Sequence, residues 1–249
     1  MISLAIKTPE EIFSYPPRLI PSAPTFKNFV KVWEGGNIPI YLFNSLKLVV
    51  FTIIGTFLVT IPTGYSLSRF DFRNKRLLLF SILAFQMISP IIICIPIYIY
   101  YNSLGLLDSH IGLILVYIAI QVPFSTWILK GFFDSIPIDL EEAAKIDGCT
   151  RLQALLRVVL PLSLNGIVAT TIFIAMNSWG QFILPFLLIS KDSLLPVSVG
   201  ILMMQGSYQQ ISTHLIAAAS VLAMLPAVVL VLILQKFVIK ALMAGALKG

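Results

Sequence analysis

Ionisable side chains are scarce in this chain of 249 residues, with 17 Lys and Arg, 11 Asp and Glu and two His. Their densest gathering is a polar island at residues 138–148, which carries Asp139, Glu141, Glu142, Lys145 and Asp147. Paired carboxylates can do acid–base work, but no nucleophile–base arrangement accompanies these. No phosphate-cradling loop of the form G-x-x-x-x-G-K-[ST] occurs anywhere in the sequence. His110 and His214 stand alone, without neighbours at metal-ligand spacing, which suits interfacial or capping roles. Cys94 and Cys149 give neither a disulfide framework nor a metal site. The residues predict a chain that is not an enzyme and binds no metal. The chemistry open to the island is recognition.

Local signals say how the island is held. Asp139 followed three residues later by Glu142 has capping-box spacing, which predicts a helix starting at about Leu140. Gly148 can adopt the left-handed conformation that closes it. Thr150 and Gln153 repeat the cap, and Pro161 limits the second helix. The prediction is a helix–glycine–helix elbow with arms of two or three turns each. Helices this short are marginal alone in water. They need a surface, either the membrane face of their own chain or a partner. Ala143 and Ala144 favour a partner, because small side chains admit a close approach. The plainer alternative is an ordinary amphipathic loop helix.

The rest of the chain explains why the island stands out. It is 58% hydrophobic and 11% charged, with mean hydropathy +0.95, whereas soluble domains carry roughly a quarter charged residues. The expected fold class is an all-α integral membrane protein. Five uncharged stretches, at 48–68, 77–101, 111–129, 164–190 and 215–235, are each long enough to cross a hydrocarbon core of about 20 helical residues. Pro62, Pro90, Pro96, Pro123, Pro185 and Pro226 fall inside them and suggest kinks.

The net charge of +6 is read through topology. Arg69, Arg73, Lys75 and Arg76 lie between the first two stretches; Lys130, Lys145, Arg151 and Arg157 lie between the third and fourth; Lys236, Lys240 and Lys248 follow the fifth. The loops at 102–110 and 191–214 hold one basic residue, Lys191. By the positive-inside rule the island and the C-terminus face the cytoplasm. The expected organisation is an extracytoplasmic segment at 1–40, proline-rich with a short helix at 26–33, then a transmembrane domain at 41–249 with a cytosolic loop at 130–163.

No Asp, Glu, Lys or Arg falls within the five stretches. Ion-driven carriers place ionisable groups inside the membrane, so energy is expected to enter from outside the bilayer, at the elbow. Gln86, Gln121, Asn177, Trp179 and Gln181 are the candidates to line a path for a neutral polar solute. The other reading of each is structural, since such residues also bond between membrane helices. On one continuous helix Asn177 and Gln181 would share a face and Trp179 would point elsewhere.

Glu142-Ala143-Ala144, then Gly148, then Val158-Val159-Leu160-Pro161, resemble the EAA loop of ABC-importer permeases. The run from Gly131-Phe132-Phe133 to Pro137 is similar to the carbohydrate-uptake branch of that family, the maltose-transporter-like permeases. The match extends to Pro16-Pro17, Asn44-Ser45 and Gly245-Ala246-Leu247-Lys248-Gly249.

The resemblance implies a type I importer permease fold. It makes the elbow a coupling helix seated in a cytosolic ATPase, with Glu141, Glu142, Ala143, Ala144, Asp147, Gly148 and Pro161 as the coupling set. Glu142 would make a charged contact, Ala143 and Ala144 would pack closely, and Gly148 would be the bend. The implied partners are two ATP-binding subunits, which carry ATP and Mg so that this chain binds no cofactor, a homologous second permease, and an extracytoplasmic solute-binding protein. That protein would dock on the outer loop at 191–214. Membrane lipid surrounds the chain, and no nucleic acid is expected. The cargo implied is a sugar or oligosaccharide. A non-sugar cargo for the same importer, or an ATP-independent channel or scaffold, remains the alternative. Related permeases have a further span ahead of a stretch similar to residues 3–10, so Met1 is expected to be an internal start with the first span missing.

Overall fold

Among residues 1–12, 19–207 and 213–246, which the computed structural model describes (side chains of 90, 205–207 and 234–246 excepted), every regular element is helical and there is no strand. Short helices α1 (Ile2–Ala5) and α2 (Pro9–Ile12) open the chain, and α3 (Lys27–Gly35) lies close to the expected 26–33. The pair Pro16-Pro17, residues 208–212 of the expected docking loop, and the last three residues lie outside the described residues.

The first long helix, α4 (Ile38–Arg69), begins at Ile38 rather than at residue 48. Asn44 and Ser45 dilute the apolar signal there, yet both are buried because another segment satisfies them. The Asn44 amide donates to the carbonyls of Ser193 (2.9 Å) and Leu195 (3.0 Å), and the Ser45 hydroxyl accepts from the Val197 N–H at 2.8 Å. The stretch expected as one helix at 77–101 is two, α5 (Lys75–Gln86) and α6 (Pro90–Leu104), bent by more than 40° at the break. A proline disfavours helix in the residue before it, here Ser89, and suits the first position of the next helix. α7 (His110–Asp134) carries Pro123 without breaking.

The elbow follows as α8 (Ile138–Ile146), α9 (Arg151–Ala154), a π-helical turn at Leu155–Val159 and α10 (Leu160–Leu162). α11 (Leu164–Trp179) then departs at 78° from the line of Arg151–Leu162. The expected span 164–190 stops at Trp179, and α12 (Ile183–Leu188) is a separate helix. Gly180 is a poor helix former. The Gln181 carbonyl, outside both helices, accepts from the Ser198 hydroxyl at 2.6 Å, so the interruption leaves no orphan there. α13 (Val197–Ser207) and α14 (Thr213–Ala246) complete the chain. By length and composition three unbroken helices can cross a membrane, and each bent pair taken as one span brings the number to five.

The contacts divide the chain into two compact units. One comprises Met1–Leu48, Cys94–Leu113 and Trp179–Leu230. Side chains reaching backbone hold it: the Asp108 carboxylate accepts from the N–H groups of Ser190 (2.5 Å) and Lys191 (3.0 Å), and His110 Nε2 lies 2.9 Å from the Leu194 carbonyl. Asp192 accepts from the Tyr41 hydroxyl at 2.6 Å and the Asn37 amide at 2.5 Å. The other unit comprises Val49–Ile93, Ile114–Ser178 and Val231–Gly249. Its core is Tyr65, Leu129, Phe133, Ile136, Leu155 and Val159. At Gly166 a Cβ would sit 2.4 Å from Cγ of Phe132, so α11 passes against α7 at a distance only glycine allows.

Candidate coupling site

The second unit contains the whole elbow. α8 begins at Ile138, with Pro137 as its N-cap and no side-chain cap hydrogen bond. The expected Asp139–Glu142 capping box is therefore absent. Asp139 lies inside the first turn, where a negative charge suits the helix dipole without capping. The second box is present: the Gln153 N–H donates to the Thr150 hydroxyl at 3.3 Å, and the Thr150 N–H donates to the Gln153 side chain at 2.8 Å. Gly148 has φ +87°, and the Cys149 N–H donates to the Ala144 carbonyl at 2.9 Å, a glycine closure of α8 as expected. Pro161 falls inside α10 rather than ending the arm. Its ring would crowd the carbonyl four residues earlier in an α-helix. The preceding π turn, in which the Leu160 N–H reaches the Leu155 carbonyl, changes that spacing.

The coupling set separates into two faces. Glu142, Ala143, Asp147, Gly148 and Pro161 are exposed. Ile146 is 87% exposed, an apolar side chain left almost wholly uncovered by this chain. Glu141 and Ala144 are buried. Glu141, at 2% exposure, accepts from Arg69 Nε at 2.5 Å and from the Tyr65 hydroxyl at 2.6 Å. Arg69 Nη2 also donates to the Ile136 carbonyl at 3.0 Å. The Arg151 guanidinium lies 5.2 Å from the centroid of the Phe70 ring. Sequence reasoning read Arg69 only as a topological charge and passed over Tyr65. The available signal was their i, i+4 spacing at a helix end.

The candidate path residues are divided between the two units, Gln86, Gln121 and Asn177 in one and Trp179 and Gln181 in the other. Gln86 is exposed at the end of α5, and Gln121 is 3% exposed inside α7. Asn177 is exposed on α11, where its amide donates to the Phe173 carbonyl at 3.0 Å. Because α11 ends at Trp179, Asn177 and Gln181 do not share a helical face. The Trp179 indole donates to the Ala223 carbonyl at 3.2 Å, a bond between helices. A different polar stripe does exist: Thr52, Thr56 and Thr60, at i, i+4 and i+8 on α4, are fully buried, and their hydroxyls have no hydrogen-bond partner among the described residues. No group of three or more His, Cys, Asp or Glu placed to hold a metal occurs among the described residues.

Comparison with known proteins identifies this architecture. The sulfoquinovosyl glycerol transport system permease protein SmoH of Agrobacterium fabrum is 34% identical over 98% of this chain and 86% of its own length. The trehalose transport system permease protein SugB of Mycobacterium tuberculosis is 34% identical over 93% of this chain and 85% of its own. The solved structure of a bacterial ABC transporter involved in the import of the acidic polysaccharide alginate superposes with a TM-score of 0.79, covering 94% of this chain and 87% of that one at 22% identity, a likeness of fold. Residues 56–243 match the family described as binding-protein-dependent transport system inner membrane component. The chain belongs to that family, and is a membrane-embedded transporter permease rather than a catalytic enzyme.

Proposed function

We propose that this chain is one transmembrane subunit of an ATP-driven importer for sugars or oligosaccharides, working with two ATPase subunits, a homologous second permease and an extracytoplasmic solute-binding protein. One observation carries the reading. The elbow presents Glu142, Ala143 and Ile146 outward on a helix whose other face is fixed by Glu141. An apolar residue as open as Ile146, beside a small residue and a carboxylate, fits insertion into a cleft of a partner. Ala143 admits the cleft wall, Glu142 meets a cationic group there, and Gly148 sets the angle.

The energy source then lies on the partner. ATP and its Mg ion bind to the ATPase subunits, whose closure displaces the cleft and the elbow with it. The elbow delivers that displacement to α7 and α11, and the pathway changes from inward- to outward-facing, an equilibrium biased by a ligand at a distant site. The distribution of basic residues supports a cytoplasmic elbow and C-terminus by the positive-inside rule. The sugar reading rests on the cargoes in the names of the two relatives above and on the absence of charged residues from the five apolar stretches. Gln86 and Asn177, both exposed, are the residues we assign to the path in the assembled importer; to Gln121, Trp179 and Gln181 we assign the structural alternative.

The test is uptake of a labelled-sugar panel by vesicles holding this chain and the products of neighbouring genes, with and without internal ATP. Accumulation of one sugar only with ATP is the expected result. No accumulation despite an intact complex with the ATPase would remove the sugar and keep the importer. Failure of any ATPase to co-purify with the wild-type chain would remove the coupling reading. Ala143→Asp, at an exposed site, leaves membrane insertion intact and lowers ATPase recovery on pull-down through a charge buried unpaired at the contact.

A further inference from the structure

The coupling face accounts for Glu142 but leaves Glu141 unused, a carboxylate buried with both oxygens engaged. Its side chain is 3% exposed and that of Arg69 is 9% exposed. Both donors come from α4, one turn apart: Arg69 Nε to one carboxylate oxygen and the Tyr65 hydroxyl to the other. The same turn of α4 makes further contacts. The Ser68 hydroxyl donates to Asp134 at 2.6 Å, and Lys130 holds the other oxygen of Asp134 at 2.5 Å. Arg69 Nη2 takes the Ile136 carbonyl, in the link between α7 and α8. The end of α4 is thus tied to α7, to the α7–α8 link and to α8 within one unit.

A buried ion pair is seldom the cheapest way to stabilise a contact, since apolar residues of similar volume often do as well. What it supplies is register. Two charge-assisted hydrogen bonds to one carboxylate tolerate displacements of only a few tenths of an ångström before weakening, and they fix orientation as well as distance. An apolar contact would let α8 slide or roll against α4.

We propose that Glu141 is a positioning residue that fastens α8 to the end of α4 through Arg69 and Tyr65, so that movement of the elbow is delivered to α4 as well as to the helices adjoining it in sequence. It follows that Glu141 does not contact the ATPase, although it neighbours Glu142. The inference rests on the coupling reading above for the source of the movement, while the clasp itself belongs to this chain alone.

Hydrogen exchange on the full chain in nanodiscs, alone and in complex with its ATPase with and without ATP, tests both parts. In the chain alone, Arg69→Ala and Glu141→Gln are expected to speed amide exchange of residues 138–146 by about tenfold, as for loss of local protection. The exchanged pair Arg69→Glu with Glu141→Arg is expected to restore much of it. Unchanged exchange in both single variants would overturn the clasp, whatever the wild type transports. In the complex, ATP alters exchange in both α8 and residues 62–69 of the wild type. In Glu141→Gln the α8 response persists and the response at 62–69 is lost. A response at 62–69 that survives Glu141→Gln would overturn delivery through this residue. Loss of ATPase binding in Glu141→Gln but not in Arg69→Ala would place Glu141 on the partner instead. Should Glu141→Gln fail to insert, Tyr65→Phe removes one donor without stranding the charge and is expected to give a smaller change of the same sign. A wild type that binds no ATPase would remove the coupling reading and leave the exchange of the chain alone to decide the clasp.

Discussion

Both units bury apolar side chains, and they differ in their polar fastenings. In the unit with Trp179–Leu230, individual polar side chains reach across to named backbone groups, as Asn44, Asp108 and Ser45 do, and each bond fixes one loop. In the unit with Ile114–Ser178 the fastenings join side chain to side chain between helices, as Arg69 and Tyr65 do with Glu141 and Ser68 with Asp134. Side-chain-to-backbone bonds are short-range and independent, so they suit loops that keep one arrangement. Side-chain bonds between helices fix the orientation of one helix on another, which suits a unit proposed to carry force. The contrast suggests why the elbow belongs to the second unit.

The largest effect that would break this contrast comes from Gly166. Its Cβ in a Gly166→Val variant meets the Phe132 ring, and overpacking of this kind costs typically about 1–3 kcal/mol. The expected outcome is a lower melting temperature and a loss of exchange protection spread over the unit's core, including Leu155 and Val159. A melting temperature equal to that of the wild type would show that the unit yields at this contact and does not behave as one body. Next is Asn44→Ala. It strands two carbonyls, at a cost of about 1–3 kcal/mol for a buried unsatisfied group. Faster exchange should be confined to the neighbourhood of 192–197, with residues 138–146 unmoved. Spread into the elbow would contradict independent fastening.

The smallest effect is acid dependence at Asp108. The N–H groups of Ser190 and Lys191 hold its carboxyl below the usual carboxylate range. A depressed folded-state pKa contributes stability that is present above the unfolded value and lost as pH falls through the folded one. The wild type should therefore exceed Asp108→Asn in stability near neutral pH, and the gap should close in strong acid. A gap that is constant with pH would assign the difference to shape rather than charge.

How far the sequence alone reaches depends on the range of the forces involved. The Thr150–Gln153 cap, the left-handed Gly148 and the helix near 26–33 are local, decided by residues within one or two turns, and all three are present. The helical, membrane-spanning class follows from composition. What was not legible depended on distant partners. The start of α4 depends on the 193–197 segment, some 150 residues away. The end of α11 goes with the pairing of Gln181 to Ser198 and of Trp179 to Ala223. Glu141 and Glu142 are identical in type and adjacent in sequence, and successive helical residues point about 100° apart. Which one turns inward was decided by Arg69, from another helix.

The π turn at Leu155–Val159 has a consequence in the language of insertions and deletions. A turn closed by i→i+5 bonds holds one residue more than an α-turn over the same rise of helix. Removing one residue from an α-helix rotates everything beyond it by about 100° and dismantles the packing on one side. Here the surplus residue is already absorbed, with Leu155 and Val159 both in the core. Losing one residue within this turn would return it to an ordinary α-turn with α11 still facing the same neighbours, at the cost of bringing the Pro161 ring against the carbonyl four residues earlier. The second arm of the elbow is therefore the place where the length of the chain and the orientation of its helices are least tightly tied.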